Sequence, residues 1–245
     1  MMREYTREEF LIATMSGLFG DGRFMVSGVN SPIPAAAGLL YEHQQPGFFV
    51  SIHGDPDRTP FVDGGVEPFD MAAQGRLDTF VFGGVQVDGQ ANINLVSIGD
   101  PKRPKKRFTG SFGAAGLYYL IPNIVLFFPS HSRRSLVQKV DFRSASPQAP
   151  EGAFRQGGPK WLLTDLCLFR FDPVTGGFEL ASVHPGQTIA AIRDATGFDF
   201  VVPKVVPTTA EPDAATLARI RGDVRDGLSV AYAQFAKDCI KEPGS

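Results

Sequence analysis

The chain has 245 residues, of which 43% are hydrophobic and 20% are charged, and this composition excludes a disordered chain. The net charge of −2 gives no general attraction to nucleic acid or to a membrane, and no apolar run approaches the roughly 18 residues of a membrane span. The N-terminus lacks the apolar core of a signal peptide, and Cys167 and Cys239 lie far apart in the sequence. We therefore expect a cytoplasmic protein with no structural zinc and no membrane or nucleic-acid partner.

Strand and helix patterns alternate along the first third of the chain. Thr6 to Glu9 forms a capping box ahead of apolar residues at helical spacing. Short strands are predicted at 23–27, 48–52 and 79–82, with helices at 34–41 and 69–74. Residues 28–32 form the turn that leads from the first strand into the next helix, and 53–65 form a loop after the second strand.

The rest of the chain continues the same alternation. A buried strand is predicted at 124–128, strand segments at 161–171 and 177–182 form a hairpin, and helices follow at 189–196 and 214–240. The pattern predicts one domain over 1–245, with a helical extension at about 210–240, and an open, largely parallel α/β sheet with flanking helices. Ligands bind at the carboxyl ends of strands in such sheets. We therefore expect the glycine-rich turns and the loop that begins with His53 to lie near a possible active site.

Four polar segments have both a functional and an ordinary explanation. The basic run at 102–107 could contact phosphates, although a solvated loop is the more ordinary explanation. The small-residue turn at 110–116 could present backbone N–H groups to an anion, or could serve tight packing. Residues 131–134 follow a buried strand and could bind phosphate or a carboxylate, but a polar strand end is an equally ordinary explanation. His184 could be a base, although a hydrogen-bonded turn residue is favoured. The four histidines lack metal-ligand spacing, so we expect no metal site.

Several short motifs occur in one order between about residues 28 and 200. The first are Gly-Gly-Val-Gln-Val-Asp at 83–88 followed by Asn92 and Asn94, and the basic run with Gly110 to Ala115. His-Ser-Arg-Arg at 131–134 and Val-Gln-Lys-Val-Asp-Phe at 137–142 come next. The last are Thr-Asp-Leu at 164–166 with Phe-Arg-Phe-Asp-Pro-Val-Thr-Gly at 169–176, Val-His-Pro-Gly at 183–186 and Thr-Gly-Phe at 196–198. Together they resemble the B (beta) subunit of family I coenzyme A transferases, the glutaconate and 3-oxoacid group. One motif alone would be weak, but the ordered set is specific.

The resemblance implies a fold, a partner and a substrate. The fold is the coenzyme A transferase (NagB/RpiA-like) type, and the implied partner is an A-type (alpha) subunit in an αβ or α2β2 enzyme. The substrate is an acyl-CoA thioester, coenzyme A is a co-substrate, and no cofactor is permanently bound. The residues that the resemblance implies in substrate or coenzyme A binding are Gly28, Asn30, Gln86, Asp88, Asn94, Arg107, Gly110, Ser111, Gly113 and Ala114.

The catalytic residue departs from the family pattern. The family nucleophile is a glutamate that follows the second strand and becomes a glutamyl-CoA thioester, while backbone amides stabilise the oxyanion. The corresponding spacing from Pro32 reaches His53 in this chain. Glu42 is the runner-up because Tyr41-Glu42 resembles part of the family triplet, but it lies ahead of the strand and is interpreted as a helix-end residue.

Because the family glutamate is missing at this position, three functions are considered for the chain. Transfer of coenzyme A to or from a carboxylic acid is the family default. An acyl-imidazole on His53 would hydrolyse readily, so the alternative is an acyl-CoA hydrolase, acting on a carbon–carbon bond or on the thioester. The resemblance extends to steroid-ring-opening acyl-CoA hydrolases, in which water or an acid of the partner subunit does this work. A non-catalytic, coenzyme A-binding partner subunit is the third, which the retained Gln86, Asp88 and Asn94 argue against.

Overall fold

The computed structural model describes residues 4–244, which form two compact units. The first unit contains the chain up to Val81 and again from Ala210, and the second contains Phe82–Thr209. The single domain over 1–245 therefore stays a prediction. Within residues 4–244, no helix is long and apolar enough to cross a membrane.

The first unit contains three parallel strands with helices between them. The elements are α1 (Arg7–Ser16), β1 (Phe24–Ser27), α2 (Pro32–Gln44), β2 (Phe49–Ile52), a 3-10 turn (Pro56–Arg58), α3 (Glu67–Ala73) and β3 (Thr79–Phe82). Strand β1 is central, and both β2 and β3 pair with it in parallel. All three predicted strands are confirmed to within a residue or two.

Local sequence explains where the first two helices begin. In the capping box, Thr6 Oγ1 accepts the N–H of Glu9 at 3.1 Å and the Thr6 N–H donates to Glu9 Oε2 at 2.8 Å. Helix α2 starts at Pro32, earlier than predicted, because the first helical turn leaves its N–H groups unpaired and so tolerates proline. Its middle lies close to β2: a Cβ on Gly38 would be 2.7 Å from Val50 Cγ2, so glycine is required there.

The second unit contains a mixed sheet with the order β8–β9–β10–β11. Its elements are the short strands β4 (Gln86–Val87), β5 (Ile93–Asn94), β6 (Ser97–Ile98) and β7 (Lys106–Arg107), then α4 (Ala114–Leu120), β8 (Asn123–Phe128), β9 (Pro159–Thr164), β10 (Cys167–Asp172), β11 (Gly177–Val183) and α5 (Ile189–Ala195). Strands β8 and β9 are parallel, whereas β10 is antiparallel to both β9 and β11. With the parallel strands of the first unit, this arrangement confirms the predicted α/β class.

The prediction of one continuous strand segment at 161–171 is wrong. The chain turns back between β9 and β10, at Asp165 and Leu166, and forms a tight hairpin. The hydroxyl of Thr164 stabilises the turn by accepting the N–H groups of Leu166 and Cys167, each at 3.1 Å. A threonine turn has no glycine or proline to mark it, which is why the pattern of apolar residues concealed it.

The helical stretch predicted at 214–240 is interrupted. It consists of α6 (Ala214–Arg219), a π-helical turn (Ile220–Val224), α7 (Arg225–Gly227) and α8 (Ala233–Cys239), with a non-helical link at 228–232. This segment belongs to the first unit. Arg221 anchors it, since its Nε lies 2.8 Å from Oε1 of the fully buried Glu9.

Candidate functional site

Two connections leave the carboxyl ends of β1 and β2 in the first unit. After β1, the turn at residues 28–31 holds Asn30 at a φ of +53°, exposed to solvent. Tyr232 packs against this turn from the C-terminal segment: its hydroxyl accepts the Ser31 N–H at 3.2 Å and donates to the Gly28 carbonyl at 3.4 Å. We call residues 28–31, His53 and Tyr232 the strand-end site.

His53 follows the last residue of β2 and is half-buried. The loop at 53–65 returns to it, because a Cβ on Gly64 would lie 3.2 Å from His53 Cε1. Within residues 4–244, no hydrogen bond or ion pair engages the imidazole. The side chain is therefore held by packing, and both ring nitrogens are available to a ligand.

Glu42 is engaged by neighbouring groups. Its Oε1 accepts the N–H of Val50 at 2.7 Å, and Arg58 Nη1 donates to both carboxylate oxygens at 2.9 and 3.0 Å. The Glu42 side chain is only 17% exposed. Glu42 thus joins α2 to β2 and to the 3-10 turn, as expected of a helix-end residue.

Two carboxylates of the loop after His53, those of Asp55 and Asp63, bond to the loop itself. Asp55 Oδ1 accepts the N–H of Asp57 at 3.0 Å. Asp63 Oδ1 accepts the N–H groups of Gly65 and Val66 at 2.7 and 3.1 Å. These contacts are turn caps, and they fix the loop around His53. The exposed carboxylate of Asp57 makes no such contact within residues 4–244.

Two buried hydroxyls lie near the ends of the same strands. Ser27 is the last residue of β1, and Ser51 is the penultimate residue of β2. Neither Oγ has a hydrogen-bond partner in the described part of the chain, although both side chains are almost fully buried. Buried hydroxyls are usually paired, so these two mark the strand ends as unusual.

The second unit contains the side chains of the Gln86 motif, and they bond to one another. Asn94 Nδ2 donates to Gln86 Oε1 at 2.7 Å, and Gln86 Nε2 donates to Asp141 Oδ2 at 3.0 Å. Asp88 accepts the N–H of Asn92 at 3.1 Å and the Asn92 side-chain amide at 3.0 Å. We call these five residues the polar network. All of them except Asp141 are buried.

The small-residue turn and Arg107 lie at the surface of the second unit. Gly110 has a φ of +109°, and Phe112, which is 85% exposed, has a φ of +44°. The carbonyl of Ser111 accepts the Ala114 N–H at 2.9 Å, and Gly113 precedes α4. The exposed Arg107 donates from Nη2 to the Pro101 carbonyl at 3.2 Å. Their roles in substrate binding, like those of the polar network, stay predictions.

His131 and His184, which are distant in the sequence, both contact Thr164. His131 Nδ1 lies 2.9 Å from Thr164 Oγ1, and His184 Nε2 lies 3.0 Å from the Thr164 carbonyl. Burial lowers the pKa of each imidazole to about 4. Both are therefore neutral at pH 7, and His184 is a hydrogen-bonded turn residue. Within residues 4–244, no group of three or more His, Cys, Asp or Glu side chains could hold a metal ion.

Sequence reasoning missed Arg58 and Tyr232. Arg58 engages Glu42 from 16 positions away, and Tyr232 lies 204 positions from Gly28. Neither residue belongs to a recognisable motif, so no local signal could have identified them.

Comparison with known proteins identifies the family. The coenzyme A transferase family model matches residues 43–195, which is more than half of the chain. The chain therefore belongs to the coenzyme A transferase family, and the predicted resemblance is confirmed.

Individual relatives are similar over different lengths. The B-type subunit of glutaconate CoA-transferase from Acidaminococcus fermentans is 35% identical over 159 residues, which cover 62% of this chain and 58% of the relative. The chain thus matches less than two thirds of that relative's length. The cholesterol ring-cleaving hydrolase IpdB subunit of Rhodococcus jostii is 26% identical over 239 residues, 89% of this chain and 92% of the relative. The crystal structure of the decarboxylase AibA/AibB superposes with a TM-score of 0.76 at 26% identity, covering 97% of this chain and 99% of the matched chain.

Proposed function

We propose that this chain is the B-type subunit of a heteromeric enzyme that acts on an acyl-CoA thioester, and that no carboxylate of this chain accepts the acyl group. The relatives named above support the first part, since they are a transferase subunit, a hydrolase subunit and one chain of a two-component decarboxylase. The engagement of Glu42 by Arg58 and Val50 supports the second part.

Coenzyme A transfer requires an accessible carboxylate. The carboxylate attacks the thioester carbonyl and expels the thiolate of coenzyme A, which leaves a mixed anhydride. The thiolate then attacks the enzyme acyl carbon, releases the substrate as a carboxylic acid and leaves a glutamyl-CoA thioester. Attack by Glu42 would require loss of its contacts with Arg58 and with the Val50 N–H, and these charge-assisted hydrogen bonds are the stronger class. Glu42 is thus a poor candidate for this step.

His53 suits a reaction in which water is the nucleophile. A neutral imidazole can accept a proton from water as it attacks a carbonyl carbon, provided that the ring nitrogen lies within hydrogen-bond reach. The imidazole of His53 has no internal partner that would have to be displaced. We therefore favour an acyl-CoA hydrolase, cleaving a thioester or a carbon–carbon bond, with coenzyme A transfer as the alternative.

The partner is expected to be an A-type subunit. Val29 in the strand-end turn and Val62 in the loop after His53 are 70% and 99% exposed. Single exposed valines are common on protein surfaces, so the expectation of a partner rests on the relatives, one of which is a two-component decarboxylase. Coenzyme A enters as part of the substrate, and we expect no permanently bound cofactor.

Intact-mass spectrometry of the complex tests the proposal. The chain is co-expressed with an A-type subunit and incubated in ¹⁸O-labelled water with a panel of acyl-CoA thioesters that includes dicarboxylic and ring-containing acyl groups. We expect turnover with ¹⁸O in the product and no coenzyme A adduct on this chain. The variant His53→Gln should lose turnover, whereas His53→Glu, which restores the family residue, should accumulate a covalent adduct.

Glu42→Gln is the matched variant, because it removes the competing carboxylate. It should keep ¹⁸O incorporation. An adduct on the wild-type chain that disappears in Glu42→Gln would establish Glu42 as the nucleophile and overturn the proposal. Absence of turnover with every thioester tested would instead favour a non-catalytic, coenzyme A-binding subunit.

A further inference from the structure

A small recess in the second unit contains two arginine side chains. It has a cavity volume of about 170 Å³ and is lined by Arg133, Arg193 and residues 196–200. Arg193 belongs to the last turn of α5, and residues 196–200 follow that helix. We call this feature the arginine recess.

Neither guanidinium is neutralised by a carboxylate. Arg133 Nε donates to the Asp194 carbonyl at 2.7 Å, a contact that uses one of its five N–H groups. Arg193 lies over the ring of Phe200, with 5.3 Å from Cζ to the ring centroid, and this contact uses none. Asp199 also lines the recess, but within residues 4–244 no ion pair joins it or any other carboxylate to either arginine. These contacts orient the two guanidinium groups, and most of their N–H donors stay available to a ligand.

The wall of the recess is fixed by close packing. The Gly197 N–H donates to the Leu136 carbonyl at 2.8 Å, and a Cβ on Gly197 would lie only 2.4 Å from that oxygen. Thr196 Oγ1 lies 2.9 Å from Nε2 of the buried His131. The chain between α5 and Phe200 is thus held against the segment that contains Arg133. A ligand would meet a preformed surface and would order little backbone on binding.

We propose that Arg133 and Arg193 bind a phosphate group and, if the proposed function holds, that this group is the 3′-phosphate of coenzyme A. Guanidinium groups bind phosphate oxygens in a bidentate manner, and two of them match a dianionic terminal phosphate. A cavity volume of about 170 Å³ is small, and it suits one phosphate group rather than a whole nucleotide. A terminal phosphate enters a small, open-sided recess with one bond leading back to the ligand, whereas the diphosphate of coenzyme A is bonded at both ends and needs room for two.

The comparison of coenzyme A with dephospho-coenzyme A tests the proposal directly, because the two differ only in the 3′-phosphate. Affinities are measured by isothermal titration calorimetry of the complex with its A-type partner. We expect the wild type to prefer coenzyme A about ten- to a hundredfold, the range that hydrogen bonds to a charged group provide. The double variant Arg133→Gln/Arg193→Gln should bind both compounds equally. Arg134→Gln changes an exposed neighbouring arginine that does not line the recess, and it should keep the preference.

Each outcome decides the proposal. A double variant that still prefers coenzyme A, or a wild type that binds both compounds equally, would overturn the assignment to the 3′-phosphate. If the wild type binds no coenzyme A at all, the proposed function fails. The recess is then tested alone with inorganic phosphate by ³¹P NMR of the full chain. Line broadening that the double variant loses would keep the recess as a phosphate site, and equal spectra would reject it.

Discussion

The strand-end site and the polar network have opposite hydrogen-bonding patterns, although the sequence suggested both as places where substrate binds. At the strand ends, the His53 imidazole and the hydroxyls of Ser27 and Ser51 have no internal partner in the described part of the chain. In the polar network, Gln86, Asp88 and Asn94 have several each. Side chains of the second kind shape the backbone. Among those of the first kind, the half-buried His53 has ring nitrogens to offer a ligand, whereas Ser27 and Ser51 are enclosed. A motif alone does not separate the two.

Among the predicted changes in stability, the largest is expected when the polar network loses Asp88. The Asp88 carboxylate accepts hydrogen bonds from the side chain of Asn92 and from the backbone N–H groups of Gln90, Asn92 and Val140, at 3.0–3.4 Å. Asp88→Ala leaves the buried N–H groups of Asn92 and Val140 unpaired, so we expect the free energy of unfolding to fall by about 4 kcal/mol. Urea denaturation followed by circular dichroism measures the change. The exposed Glu151→Ala serves as the control, and equal losses in both variants would contradict a structural role for the network.

A second effect concerns pH, because His131 and His184 are buried as neutral imidazoles. Burial lowers the pKa of each from 6.5 to about 4, so below pH 6.5 the unfolded chain takes up protons that the folded chain does not. The stability that these histidines contribute is fully present above pH 6.5 and is lost as the pH falls toward 4. Between pH 7 and 5 we expect a loss of about 2 kcal/mol for each histidine.

Urea unfolding at pH 7 and at pH 5 measures this loss. In the variant His184→Gln one of the two titrating groups is absent, and the difference between the two pH values should fall by about half. The change His43→Gln is the control, because His43 is exposed by about a third and is not enclosed in the same way. A pH difference that His184→Gln leaves unchanged would show that the buried histidines do not cause it.

Features that depend on neighbouring residues were predictable from the sequence. The capping box before α1, the three strands of the first unit, the turn after β1 and the family all follow from short patterns. These features are encoded locally, in the spacing of apolar residues and in single turn residues. The same information put His53 at the end of β2, directly after a buried strand.

Features that depend on distant partners were not predictable. His131 and His184 are separated by more than 50 positions and meet at Thr164, so their scattered positions hid a shared environment. Gln86 finds its partner Asp141 55 positions away, and Tyr232 reaches Gly28 across 204. A single sequence does not report which side chains pair across the fold, and this pairing decides whether a polar residue is structural or available.

A smaller effect on stability is expected at Glu42 and Arg58, the ion pair that joins α2 to the 3-10 turn. Removal of either partner leaves a half-buried charge without its counterpart, so Glu42→Ala and Arg58→Ala should each lower the free energy of unfolding by about 2 kcal/mol. A double-mutant cycle measures the coupling, and the double variant should lose clearly less than the sum of the two single changes. Additive losses would mean that the pair does not stabilise the fold, and would return Glu42 to consideration as a nucleophile.

The smallest loss of stability is expected at the strand-end site, when Tyr232 loses its hydroxyl. Tyr232→Phe removes the hydroxyl that bonds Ser31 N–H and the Gly28 carbonyl, and should cost about 1 kcal/mol. Tyr41→Phe is the matched control, because it removes a hydroxyl that donates to the carbonyl of Gly20 instead. Both variants should lose similar stability, but only Tyr232→Phe should accelerate amide hydrogen exchange at residues 28–31. The family resemblance implies that backbone amides stabilise the oxyanion, and a loosened turn at 28–31 would place its amides less accurately. In the complex, Tyr232→Phe should therefore lower kcat more than it raises KM, because the oxyanion forms only in the transition state. Equal exchange at 28–31 in both variants would show that Tyr232 contributes only packing.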